Sequence, residues 1–120
     1  MNSILLVDDE RWVRTALRKT IEKTELPFQV VHEAANGLEA LDWLKHNRVD
    51  LVLTDVRMPV MDGLAMMRQL LLEERHTADV IVVSGHDDFN YAQQALRLGA
   101  IDYLLKPVET EEMHRCLSGW

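Results

Sequence analysis

The 120-residue sequence has a single cysteine, Cys116, so it can form no internal disulfide, and nothing in it suggests an oxidising compartment. It has no cluster of Lys and Arg. Its 13 basic residues face 20 acidic ones, and the net charge of −7 argues against a surface that grips nucleic-acid phosphates. It also has no long apolar run: the opening MNSILLV carries no basic stretch and only the short ILLV, which excludes a signal peptide or membrane span there and leaves a cytoplasmic location as the expectation. Internal repeats, low-complexity tracts and linker-like stretches are missing too, so residues 1–120 read as one domain. What is present is ordinary globular material, 48% hydrophobic and 28% charged, in a chain long enough to bury roughly two-thirds of its unfolded surface.

Five short apolar runs predict strands: ILLV from Ile4, FQVVHEA from Phe28, LVLT from Leu51, VIVV from Val80 and IDYLL from Ile101. Between them, apolar residues at helical spacing (Val13, Leu17, Ile21; Leu38, Leu41, Leu44; Leu64, Met67, Leu71; Tyr91, Ala95, Leu98) predict helices, and Met113 and Leu117 predict a last one from about Glu109. Alternating βα units imply a mostly parallel sheet with helices on both faces. Runs one, three and four are almost wholly apolar, as central strands are, whereas runs two and five carry Gln29, His32, Glu33 and Asp102 and read as edges. The predicted fold is therefore α/β, a flavodoxin-like (βα)5 sheet in the order 2-1-3-4-5. Ligands of such sheets bind beyond the carboxyl ends of the strands, at the switch point between strands one and three.

Asp8 and Asp9 follow the first strand and Asp55 the third, so this topology brings three acids into one crevice. Two unit charges about 4 Å apart repel by ~4 kcal/mol at an effective dielectric near 20, so such a cluster needs a proton or a cation. All-oxygen donors select a hard cation, Mg²⁺ before Ca²⁺ or Mn²⁺. The fourth strand ends in Ser84 and Gly85 and the fifth in Lys106 and Pro107, adding a hydroxyl, a close-approach backbone and a positive charge. A carboxylate nucleophile, a metal and a Lys compose a site for phosphoryl transfer to Asp.

Taken in order, LLVDDE, LVLTDVRMPVMDG, VSG and DYLLKPV resemble the receiver domain of bacterial two-component response regulators, over essentially the whole chain. The resemblance implies that Asp55 is the phosphoacceptor and that Mg²⁺ is bound by Asp9, by Asp8 through water, by Asp55 and by the Arg57 backbone carbonyl. It implies that Ser84 bonds the phosphoryl group, that Lys106 neutralises it, that Tyr103 is the aromatic switch residue, and that the Lys106–Pro107 bond is cis. A sensor histidine kinase is the implied donor, with homodimerisation on activation, and the domain turns over no independent metabolite. The segment from Ser84 to Glu109 further resembles receivers fused to AraC-type DNA-binding regions, which implies an output domain beyond residue 120 and DNA contact only through it.

Other residues are assigned more modestly. Met58 and Pro59 shape the loop after Asp55, Asp62 and Gly63 form a turn and helix start, and Glu10 favours the first helix N-terminus. Trp12, Trp43 and the helical Met residues are expected to pack, and His32, His46, His76 and His114 have no metal-ligand spacing. Arg57 and His86 stand, by the resemblance, where the side chains tune water attack on the phosphoryl group; the residues alone leave them open as exposed loop positions without effect. Two other functions share parts of this pattern: a stand-alone receiver acting by docking, and a haloacid-dehalogenase-type phosphatase, whose nucleophile would follow strand one in an Asp-x-Asp arrangement that the adjacent Asp8 and Asp9 do not provide. A flavodoxin is excluded by the acids where a phosphate loop would be needed.

Overall fold

The computed structural model describes residues 1–72 and 77–120, apart from the His86 side chain. Its order is β1 (Asn2–Val7), α1 (Arg11–Lys23), β2 (Phe28–Ala34), α2 (Gly37–Leu44), β3 (Leu51–Thr54), α3 (Gly63–Leu71), β4 (Asp79–Ser84), a single 3₁₀ turn (His86–Asp88), α4 (Phe89–Arg97), β5 (Asp102–Leu105) and α5 (Thr110–Ser118). All strands are parallel, in the order β2-β1-β3-β4-β5. Among the described residues no helix is long and apolar enough to cross a membrane.

The period of two along the strands divides the core. Ile4 and Leu6 face one side, where Val13, Leu17 and Ile21 of α1 meet Met113, Cys116 and Leu117 of α5. Leu5 and Val7 face the other, against α2, α3 and α4. Burial raises the Cys116 thiol to about 12, so it stays a protonated, inert core residue.

The helical stripes differ from expectation in detail. In α2 the buried residues are Gly37 and Ala40, while Leu38 is exposed. The small residues let the helix approach its neighbours: a Cβ on Gly37 would lie 2.9 Å from the Met61 carbonyl oxygen. In α3 the core position three residues after Met67 belongs to Leu70, and Leu71, the last helical residue, is exposed. In α4 only Ala92 and Ala95 are buried, and Tyr91 lies on the outside. Trp12, expected to pack, is 69% exposed; its indole N–H donates to the Glu10 carboxylate at 2.8 Å instead of entering the core. Trp43 does pack, stacked on the His32 ring at 4.7 Å between centroids. His46 and His114 are exposed, and His76 lies outside the described residues.

The edge strand β2 is held from above by charge. Glu33 accepts from Arg14 Nε at 2.9 Å and from Arg18 Nη2 at 2.7 Å. Burial alone would raise its pKa, but the bonds from Arg18 and Arg14 outweigh burial and leave it below the ordinary carboxylate range. Glu33→Gln should therefore cost about 1 kcal/mol at neutral pH. A depressed folded-state pKa contributes stability above the unfolded value, so the gap between the proteins should close as pH falls through the folded Glu33 pKa. Urea titrations at neutral pH and near pH 3 measure it, and a gap independent of pH would refute the charge-based account.

Candidate functional site

Backbone bonds beyond the sheet ladder fix where the loop residues sit. The Asp8 N–H donates to the Ala34 carbonyl at 3.1 Å, and the Asp55 N–H to the Val7 carbonyl at 2.8 Å, so both acids leave their strands side by side. The Lys106 N–H donates to the Ser84 carbonyl at 2.9 Å, and the Lys106–Pro107 bond is cis, as the resemblance implies. From there Lys106 Nζ donates to Asp8 Oδ2 at 2.9 Å and to Asp55 Oδ2 at 3.0 Å. Residues separated by up to 98 positions thus meet at one ammonium.

Both carboxylates are poor in water, Asp8 at 1% exposure and Asp55 at 7%. Burial raises the Asp55 pKa; the Asp8 charge adds to this, and the bonds from Lys106 oppose it without reversing it. Burial alone would lower the Lys106 pKa, but its bonds to Asp8 and Asp55 raise it, so the ammonium stays charged. Asp9 is exposed beside this pair, and one carboxylate oxygen from each of Asp8, Asp9 and Glu10 lies within 4.8 Å of the others. Two buried carboxylates sharing one lysine, with a third acid at the mouth, leave negative charge in excess. The donor set is all oxygen and fits a hard divalent cation.

The remaining predicted residues take up different places. Ser84 is buried at the end of β4, and Tyr103, partly exposed on β5, lines the same cleft with Phe89 and Leu105. Asp62 caps α3, accepting from the Ala65 N–H at 2.8 Å. Between them the loop turns tightly: Val60 has φ 68°, and the Met61 N–H donates to the Pro59 carbonyl at 2.7 Å, a γ-turn that a β-branched residue adopts only under strain. The Arg57 side chain donates to Asp88 at 3.3 Å, and the side chain of His86 lies outside the described residues.

Sequence reasoning missed Arg14 and Asp88, and read Gly63 only as part of a turn and helix start. Arg14 donates to the Asp8 carbonyl oxygen as well as to Glu33, and so braces the loop that carries the acids. Asp88 is the partner of Arg57, and Gly63 packs directly under Asp55. The signal for Arg14 was its place on α1 beside the buried Val13, which aims it toward the sheet edge; for Asp88 no sequence spacing pointed to residue 57.

The family described as "Response regulator receiver domain" matches residues 4–118. The transcriptional regulatory protein HptR of Staphylococcus aureus is 33% identical over 113 residues, which cover 94% of this chain and 44% of HptR. The solved REC domain of AraT, a response regulator from Geobacillus stearothermophilus, is 38% identical with TM-score 0.87, covering 98% of this chain and 90% of that one. A two-component transcriptional regulator AraC from Clostridium phytofermentans is 35% identical with TM-score 0.82, over 99% and 92% of the two chains. The chain spans less than half the length of the curated relative HptR.

Proposed function

The chain belongs to the response regulator receiver domain family of two-component systems, and from that premise we propose that it accepts a phosphoryl group on Asp55 from a sensor histidine kinase and thereby switches an attached output. The observation that carries the reading is the Lys106 ammonium bonded to both Asp8 and Asp55 in a nearly dry pocket. An oxygen of the Asp55 carboxylate attacks the donor phosphorus, the P–N bond to the kinase histidine breaks, and the imidazole leaves with the electron pair. Lys106 then turns its charge to the phosphoryl oxygens, Ser84 donates to one of them, and Tyr103 fills the space that Ser84 vacates. No separate metabolite is turned over.

Asp8, Asp9, Asp55 and the Arg57 carbonyl would hold Mg²⁺, whose charge, when bound, offsets the repulsion between the carboxylates and an incoming phosphoryl group. Asp9→Ala should abolish Mg²⁺ binding and, with it, uptake from acetyl phosphate. Calorimetric titration with Mg²⁺ and mass mapping of the label test this; unchanged metal affinity in the variant would sink the assignment. For the output we propose a DNA-binding module beyond residue 120 that regulates transcription. The names of the relatives and the share of HptR left uncovered support it.

A further inference from the structure

Arg57 follows Asp55 by two residues, yet its side chain is spent on another element. Its Nη1 lies 3.3 Å from Asp88 Oδ1, and its guanidinium carbon lies 5.8 Å from the centre of the Tyr91 ring. Asp88 is the residue from which α4 starts, and Tyr91 stands in the first turn of that helix. The Asp88 side chain is only 14% exposed and makes no capping bond to its own helix; it turns instead to Arg57, which is 63% exposed. The contacts matter because little else fastens α4. Its buried residues are Ala92 and Ala95, two methyl groups, whereas α3 buries Leu64, Met66, Met67 and Leu70. An element with so little apolar cover is drawn from the less stable end of a fold.

We propose that Asp88 is a positioning residue that withholds Arg57 from the phosphoacceptor pocket, and that a phosphoryl group on Asp55 takes the guanidinium over, loosening α4 where Asp88 and Tyr91 had been tied. This rests on phosphorylation of Asp55 as proposed above. The competition has a definite direction: Asp88 offers one negative charge, a phosphoryl group close to two with three acceptor oxygens, and guanidinium matches such oxygens in pairs. That difference in affinity is what a ligand-driven shift requires. The exchange also places Arg57 across the path of water toward phosphorus, so the time Arg57 spends on Asp88 limits the life of the acyl phosphate.

The experiment compares wild type, Asp88→Asn, Asp88→Glu, Arg57→Ala and the Asp88→Asn/Arg57→Ala double variant. Without a phosphoryl donor, backbone NMR should show the amides of Phe89–Arg97 displaced alike in Asp88→Asn and Arg57→Ala, with no further displacement in the double variant, and near wild-type positions in Asp88→Glu. With acetyl phosphate and Mg²⁺, the phosphoryl lifetime should lengthen about two- to fivefold in Asp88→Asn, as expected for loss of one partly exposed ion pair, return toward wild type in Asp88→Glu, and be the same in Arg57→Ala with or without Asp88. Additive amide displacements, a lifetime unchanged or shortened in Asp88→Asn, or equal lengthening in the Arg57→Ala background would overturn the proposal. If wild type takes up no label, the phosphorylation reading is what has failed, and the donor-free arm still decides whether Arg57 and Asp88 act together on α4.

Discussion

Asp55→Asn is expected to take up no phosphoryl group from acetyl phosphate and, in metal-free buffer, to be more stable than the parent protein. The first part follows from chemistry, since an amide oxygen has no charge with which to attack phosphorus. The second follows from the pocket. Asp55 is 7% exposed, burial holds its pKa above the ordinary range, the Asp8 charge adds to the cost, and one lysine serves both acids. A neutral amide of the same shape removes the repulsion while leaving the Lys106–Asp8 bond in place. Gains of about 1 kcal/mol are common where a side chain is kept for function at the expense of stability. For an acid whose folded-state pKa is raised, the folded state is penalised once the group ionises. The advantage of Asn should therefore be present at neutral pH, shrink as pH falls through the folded Asp55 pKa, and vanish below the unfolded carboxylate range. Denaturant melts of both proteins across that range, with label counted by mass, test the two parts separately. Normal labelling of Asp55→Asn would remove Asp55 from its role, and a variant less stable at neutral pH would show that Lys106 more than compensates both charges.

The fold was legible because burial on two faces and burial on one leave different compositions. LVLT and VIVV could only be central strands, and the Gln29, His32 and Glu33 of the second run marked an edge, so the order 2-1-3-4-5 followed and the structure has it. The meeting of Asp8 and Asp55 followed in turn, because the topology sets the ends of strands one and three side by side; the end of strand five lies at the same edge beyond strand four, and the long Lys106 side chain reaches across to both acids. What could not be read was pairing between surface side chains. Arg57 could have met any acid within reach, and that it meets Asp88 depends on the path of the 3₁₀ turn before α4. Trp12 misled because aromatic residues at a helix start usually supply the core; here the stripe is already filled by Val13, Leu17 and Ile21, and the indole has the Glu10 carboxylate to bond. Leu71 misled for a simpler reason: in the last turn of α3 the core position three residues after Met67 is filled by Leu70, and Leu71, the final helical residue, is left exposed.

Gly63 carries the second large effect, and its sequence context, Asp-Gly before an apolar helix, predicted a turn and helix start but not the close approach to Asp55. A Cβ built on it would lie 2.3 Å from the Asp55 carbonyl oxygen and 3.1 Å from Val56 Cα. These are backbone atoms, so no rotamer change can relieve the clash. They are also pinned: the Asp55 N–H is bonded to Val7, the Val56 N–H to Asp55 Oδ1 at 2.8 Å, and the Gly63 N–H to the Val56 carbonyl at 2.7 Å. Gly63→Ala must move either the start of α3 or the chain that presents Asp55. Overpacking of this kind costs about 2–3 kcal/mol, which for a domain of this size lowers Tm by roughly 10 °C. The displacement also reaches the chemistry, because a reacting carboxylate misplaced by ~1 Å can lose about a hundredfold in rate. Gly119→Ala is the matched control: its new Cβ would sit 3.5 Å from the Arg115 carbonyl oxygen, an ordinary contact at the end of α5, and should leave both Tm and phosphoryl uptake nearly unchanged. Thermal melts and acetyl phosphate labelling rates for the two variants test the difference. Equal melting of Gly63→Ala and Gly119→Ala would mean that α3 slides freely beneath the phosphoacceptor loop, whereas a Gly63→Ala protein that melts early and labels slowly places the seat of Asp55 on a helix end that tolerates no side chain.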